Sequence, residues 1–318
     1  MENKAAQIVN SYDNTDELLK KFPVLNPTPV ETSIEKRIQN RLLSGFNNWN
    51  LGTDAWLAWG NILYTPDSLY NIHGVHMTLK QYQMFSGMAF KAAEMMMGDF
   101  HNMVICDDWC AICYDIASRN RATGTIDPGM VMEFVHFKDE EPAGCTVVEG
   151  WAGGKGADYP ALLQFLSPEQ KEAQASFEKG VVEGDCDLHI ANPTKDNSKW
   201  AEEIRALVLK EFAAFNEGYE AWEKAADEMY TKDMKFFRSL EEMDLDGHKA
   251  LVKEDIEEKE LKRVYFHNLM VSGEWAALYY RTRKKNPAAG EVEAYSDMEF
   301  VHFTKEDGTL KADFRRRL

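Results

Sequence analysis

Met132-Glu133-Phe134-Val135-His136-Phe137 recurs letter for letter as Met298-Glu299-Phe300-Val301-His302-Phe303, 166 residues downstream. Working outward at the same offset, Phe100-His101-Asn102 returns as Phe266-His267-Asn268. Trp56, Tyr64, Asp67, Trp109, Tyr114 and Asn120 likewise meet Trp222, Tyr230, Asp233, Trp275, Tyr280 and Asn286. The register needs no gap across residues 32–140. Motifs that matched by chance would not share one offset, so the chain carries one domain twice. The repeat is far longer than the roughly 20–50 residues of a solenoid unit, and each copy should own a core.

Within each copy, helical periodicity comes first and strand periodicity second. Ile34, Ile38, Leu42 and Phe46 recur at helical spacing behind the capping candidates Glu31, Thr32 and Ser33. A second helix carries Trp56 or Trp222, and a third is expected over 80–97 and 247–263. Strands are then expected over 101–105, 109–118, 130–137 and 146–151, and over 267–271, 275–283, 296–303 and 309–314. Helices first and antiparallel strands afterwards is an α+β order, not the alternation of a parallel α/β fold. The expected organisation is a polar leader (1–30), a first domain (31–151), a linker with one helical piece at 168–179 (152–196), and a second domain (197–318).

The 318 residues suit two domains. A formal net charge of -17 argues against nucleic-acid and anionic-membrane partners, which call for a basic surface. The three arginines Arg315-Arg316-Arg317 read as a short solvated tail. No long apolar run suggests a membrane span, and the start of the chain lacks the apolar stretch of a signal peptide. Five cysteines, an odd number, suit a reducing cytoplasm better than a disulfide framework.

Three helices followed by a curved antiparallel sheet resembles the nuclear transport factor 2-like fold, and within it the SnoaL-like polyketide cyclases. The residues carrying the resemblance are Tyr64 with Asp67 before the first strand, Gly247-His248-Lys249-Ala250-Leu251 at the third helix, and Glu306-Asp307-Gly308-Thr309-Leu310 at the last hairpin. The turns Cys106-Asp107-Asp108-Trp109 and Ser272-Gly273-Glu274-Trp275 also match, each leading into a strand. The resemblance covers both copies and specifies fold better than activity, because the fold hosts cyclases, dehydratases, isomerases, hydrolases and non-catalytic binders. It implies two cone-like domains forming an internal pseudo-dimer, with the identical six-residue blocks at a pseudo-twofold interface.

The resemblance also implies a pocket between the concave sheet face and the helices. It places Ile112, Tyr114, Glu133 and Phe137 on that face, with Glu133 where SnoaL-like cyclases carry an acid/base aspartate. A carboxylate in an apolar cavity has its pKa raised toward neutrality, which suits enolisation, dehydration or aldol chemistry. His101, His76 and His73 are candidate proton donors or orienting groups beside Tyr114; Trp56, Tyr64 and Met88 are candidate substrate contacts. His73 and His76 have no histidine counterpart in the second copy, where Ser239 and Glu242 stand. Related enzymes with a His-Asp dyad use a histidine late in the third helix, where this chain is expected to place Met95-Met96-Met97.

Each candidate has a plainer reading as core, cap or interface. Cys106, Cys110 and Cys113 also form C-x3-C-x2-C, the spacing of an iron–sulfur cluster, but the duplicate has Ser272, Ala276 and Tyr279 there. The segment therefore folds without cysteine, and buried thiols are the simpler account. The expectation is an enzyme that needs no cofactor or metal, acting as a lyase, isomerase or cyclase on a hydrophobic ring or carbonyl compound in the first copy. The rival is a non-catalytic ligand-binding or scaffold protein of the same fold. Whether the pseudo-dimer forms a homo-oligomer is left open.

Overall fold

The computed structural model describes residues 15–46, 48–72, 74–140, 144–154, 162–284 and 293–318. The architecture is mixed α+β with two separate sheets, and the chain divides into compact units at Ser167 and Pro168.

The first unit contains α1 (Thr15–Lys21), β1 (Val24–Asn26), α2 (Ser33–Phe46), α3 (Asn48–Leu51), α4 (Thr53–Leu63), β2 (Tyr64–Ile72), β3 (Val75–Thr78) and α5 (Leu79–Ala92). The long strands β4 (Ala93–Cys106), β5 (Trp109–Asn120), β6 (Ile126–Glu140) and β7 (Gly144–Gly154) follow. The sheet runs β1-β4-β5-β6-β7-β2-β3; β4 to β7 form an antiparallel meander, and β1 and β2 pair in parallel with β4 and β7. Side chains alternate across the sheet, so one face of β5 places Cys110, Ile112 and Tyr114 in a core shared with Leu42, Trp56, Trp59 and Phe90 from the helices.

The second unit begins with α6 (Pro168–Glu183) and repeats the plan as α7 (Ala201–Glu217), α8 (Tyr219–Met229), β8 (Tyr230–Arg238), β9 (Glu241–Met243), α9 (Leu245–Glu257), β10 (Leu261–Ser272), β11 (Trp275–Lys284), β12 (Ala294–Glu306) and β13 (Thr309–Arg317). Its sheet order is β10-β11-β12-β13-β8-β9.

The repeat reaches further upstream than residue 32. Val24 pairs with Phe100, and Asn26 donates its side-chain amide to the His101 carbonyl at 2.9 Å. In the second unit Ile190 bridges Phe266, and Asn192 donates to the His267 carbonyl at 3.2 Å, the same arrangement at the same offset. The polar leader thus supplies a sheet edge, and the end of the 152–196 segment supplies its counterpart. Leu162 and Leu166, from the middle of that segment, lie in the first core.

Two expectations fail on local structure. The third helix of the first copy ends at Ala92, not at Met97, because the backbone turns extended at Ala93 and Met95, Met96 and Met97 pair with Ser118, Ala117 and Ile116 of β5. Ala, Glu and Met favour a helix intrinsically, and ladder pairing with the long β5 overrides that preference. The analogous helix in the second copy stops at Glu257. The arginine tail is not solvated either: Arg315 is 1% exposed and Arg316 8%, on a paired strand. Among the described residues, no helix is long and apolar enough to cross a membrane.

Candidate active site

Register builds the site. Glu133 on β6 sits opposite Ile112 of β5 and Ala152 of β7, and Tyr114 lies two residues along β5 on the same face. Tyr70 on β2 is opposite Gly150 of β7. A Cβ at Gly150 would come within 2.4 Å of the Tyr70 ring, so only glycine lets that ring lie across the strand. From there the Tyr70 hydroxyl donates to Glu133 Oε2 at 2.7 Å, while the Tyr114 hydroxyl donates to Oε1.

Aromatic rings hold this arrangement. Tyr82 of α5 stacks on Tyr70 with centroids 4.2 Å apart, and Tyr64 meets Tyr70 edge-on at 5.8 Å. Trp49 stacks on Trp56 at 4.4 Å. Above the Glu133 cluster is a cavity of about 120 Å³, lined by Trp49, Tyr70, Ile72, Tyr82, Phe85, Ser86, Ala89, Met95, Tyr114, Ile116, Val131, Glu133, Ala152, Gly153 and Gly154. A smaller inner space of about 10 Å³ extends beyond Glu133, between Trp56, Tyr64, Trp59 and Val147.

Burial raises the pKa of Glu133 above 4.5, and the donated hydrogen bonds from Tyr114 and Tyr70 only partly offset it. Burial, with the neighbouring Glu133, also pushes the Tyr70 and Tyr114 hydroxyls well above 10, which keeps them protonated as donors. The result is one carboxyl group of raised proton affinity, wired to two phenols at the end of an apolar cavity.

Of the expected residues, Glu133 and Tyr114 line the cavity. Trp56 and Tyr64 line its inner extension, and Ile112 and Phe137 belong to the core around it. Three others lie elsewhere. Met88 is 53% exposed, because Tyr82, Ser86 and Phe90 take the inward positions of α5. His101 follows the inward Phe100 on β4 and contacts Asp115 at 2.9 Å, away from the cavity. His76 lies between the inward Val75 and Met77, and its ring meets Trp151 edge-on at 5.1 Å. His73 lies outside the described residues. Sequence reasoning missed Tyr70 and Tyr82. Their signal is in the duplication, where Tyr70 and Tyr82 face Phe236 and His248 and the hydroxyls are lost.

The second unit keeps the carboxyl and surrounds it with charged partners. Tyr280 donates to Glu299 at 2.6 Å, as Tyr114 does to Glu133. Arg315 Nε also donates to Glu299 at 2.7 Å, and the same guanidinium reaches Tyr230 and Glu211. Arg263 pairs with Glu211 at 2.7 Å. Arg317 joins Asp297 at 2.8 Å and Asp255 at 3.3 Å. Strand pairing equates Arg315 with Gly150 and Arg317 with Ala152, since Val301 and Glu299 are their partners as Val135 and Glu133 are in the first unit. The offset equates Glu211, Arg263, Asp255 and Asp297 with Gly45, Met97, Ala89 and Val131. Six charged side chains in one copy are thus Gly, Ala, Val or Met in the other. Ala89, Val131 and Ala152 line the first unit's apolar cavity, whereas their counterparts Asp255, Asp297 and Arg317 form an ion-pair cluster in the wall of a polar pocket of about 690 Å³, which Glu299 does not line.

The identical six-residue blocks also have a local explanation in each unit. His136 stacks on Trp109 at 4.6 Å and contacts Asp108 at 3.1 Å and Glu149 at 3.3 Å. His302 packs on Trp275 at 4.9 Å between Asp313 and Glu274. Cys110 and Cys113 sit three residues apart on β5, so strand alternation sends them to opposite faces. Among the described residues, no group of three or more His, Cys, Asp or Glu is placed to hold a metal.

No protein-family model matches the sequence, and no curated protein does. Solved structures that match parts of the chain are SnoaL-like and nuclear transport factor 2-like proteins. A SnoaL-like polyketide cyclase candidate from Jannaschia sp. CCS1 is 16% identical over 45% of this chain and 97% of its own, with a TM-score of 0.33. A nuclear transport factor 2-like superfamily protein from Salmonella enterica serovar Typhimurium is 14% identical over 36% of this chain and 87% of its own, with a TM-score of 0.28. A ketosteroid isomerase-like protein from Erwinia carotovora atroseptica is 14% identical over 37% of this chain and 99% of its own, with a TM-score of 0.26.

Proposed function

We propose that the first unit is an acid–base enzyme acting on a hydrophobic ring or carbonyl compound, as a lyase, isomerase or cyclase. The observation that carries the proposal is Glu133: a buried carboxyl with a raised pKa, tied to Tyr70 and Tyr114, facing a cavity whose other walls are largely apolar and aromatic. Each carboxylate oxygen that accepts a phenol keeps a further lone pair. Glu133 uses one to take a proton from the carbon beside the substrate carbonyl. The electron pair of that C–H bond moves onto the carbonyl oxygen as an enol or enolate. As Glu133 takes up that proton its hold on the phenols weakens, and a tyrosine hydroxyl turns its single hydrogen from Glu133 to the developing negative charge. Return of the proton to a different carbon gives isomerisation, loss of a β-leaving group gives elimination, and attack of the enol carbon on a second carbonyl gives cyclisation. The five cysteines are free, and a cytoplasmic setting belongs to the same proposal.

The test is proton NMR of the protein with a panel of cyclic ketones and enones in deuterium oxide, beside native mass spectrometry for a co-purifying apolar ligand. The proposal expects deuterium to enter at the carbon next to the carbonyl with wild type and not with Glu133→Gln. Equal exchange by the two proteins, or ligand binding without any exchange, would favour the non-catalytic reading.

A further inference from the structure

We infer that the ligand of the first unit's cavity is an uncharged, single-ring compound with one carbonyl or hydroxyl oxygen. The inference rests on the site proposed above and adds charge, size and shape to it.

Charge comes first. Among the described residues, Glu133 and the tyrosines are the only ionisable side chains lining the cavity, and no Lys, Arg or His lines it. A carboxylate, phosphate or coenzyme-linked acyl group placed there would lose its water and meet a buried carboxyl with no cation to pair with. The second unit shows what this scaffold looks like when it accommodates buried carboxylates: Arg263, Arg315 and Arg317 enter with Glu211, Glu299, Asp297 and Asp255. Met97, Gly150 and Ala152 stand at the three arginine positions in the first unit. A cationic ligand fares little better: it would lose its water to meet a single carboxyl whose two oxygens already accept a phenol each, with largely apolar and aromatic walls on its other sides.

Size and shape narrow the class further. An enclosed apolar cavity of about 150 Å³ accepts benzene, and this one, about 120 Å³ and open on one side, holds about one ring within its walls. Trp49, Tyr70, Tyr82, Phe85 and Tyr114 make up much of the wall, and aromatic faces pack well on a planar ring. The polar groups, Glu133 with its phenols and the Ser86 hydroxyl, give one end at which a ring oxygen can accept or donate a hydrogen bond.

The experiment compares ligands of matched shape on the full chain, by calorimetry and saturation-transfer NMR at neutral pH. Phenol and cyclohexenone probe the neutral ring, benzoate and phenyl phosphate the anion, benzylamine the cation, and 2-naphthol the second ring. The neutral single rings are expected to bind at least tenfold tighter than the charged compounds and than naphthol. Ala152→Arg, which brings the second unit's residue opposite Glu133, is expected to lose them by a further tenfold or more. Ala89→Phe is expected to do the same by filling the cavity, with circular dichroism showing that each variant is folded. Charged or two-ring compounds binding as tightly as phenol, no binding of any neutral ring, or binding unaltered in a folded variant would overturn the inference. Binding with this selectivity but without deuterium exchange would leave the ligand class standing and defeat the acid–base reading. Exchange catalysed on a charged ketone would do the reverse.

Discussion

At Glu133 two effects oppose one another: burial favours the neutral acid, while the hydrogen bonds from Tyr114 and Tyr70 favour the carboxylate, and burial wins. The linkage follows from that direction. A carboxyl with a folded-state pKa above its ordinary 4.5 holds its proton more tightly in the native protein. The stability this contributes is complete below 4.5 and is lost as pH rises through the folded-state pKa. Glu133→Gln removes that titration while keeping the side-chain volume. Urea unfolding from pH 4 to 8 should therefore show a flatter stability profile above about 4.5 than wild type. The same variant should lower turnover by roughly 10²–10⁴-fold, the usual worth of a positioned acid–base group. The tyrosines move the balance the other way. Tyr114→Phe or Tyr70→Phe removes a donor that stabilises the carboxylate, so Glu133 should ionise at higher pH. The acidic limb of the pH–rate profile should shift upward, and a limb that stayed in place would mean that neither phenol tunes the acid.

At the scale of elements, the two copies diverge most at β7 and β13, and this is where the sequence was hardest to read. The constant offset makes Glu133 and Glu299, or Tyr114 and Tyr280, legible as pairs. It is lost in the hairpin that follows: Phe137 pairs with Val147, but Phe303 pairs with Ala312, so the first copy has one extra residue in between. Gly150 and Arg315 are equivalent only once strand pairing is known, and three consecutive arginines at a chain end otherwise resemble a solvated tail. Alternation along a strand made the inward face of β5 and β6 readable. The helix-to-strand change at Ala93 was not, since its cause is pairing with β5 and not local propensity. The buried arginines make a prediction at this scale. Arg315 is held by Glu299, Glu211 and Tyr230, and Glu211 stays below 4.5 because Arg263 and Arg315 outweigh the effect of its burial. Arg315→Ala leaves two buried carboxyls short of a partner and should cost about 3–5 kcal/mol. A thermal melt of that variant should show an early transition, and an unchanged melt would mean that the network contributes little.

At the largest scale, the two units follow one plan of helices and strands and use the interior differently. Apolar positions around Glu133 leave an apolar cavity with one poised carboxyl, while charged residues at the equivalent positions give Glu299 guanidinium partners and keep it out of the walls of the second unit's polar pocket. Both copies keep the tyrosine–carboxyl pair, so the pair alone does not make a site; what the first adds is an apolar cavity that reaches the carboxyl, with no Lys, Arg or His among its described lining residues. An asymmetry in function should follow from this asymmetry in packing. A neutral ring ligand should saturate at one molecule per chain in calorimetry, not two. Glu133→Gln should remove all catalysed exchange. Glu299→Gln should leave the exchange rate at the wild-type level while costing about 3–5 kcal/mol of stability, because it strands Arg315 among buried groups. Two ligands per chain, or a rate halved by either substitution, would show that the second unit's polar pocket takes the same ligand and that its arginines form part of a working site.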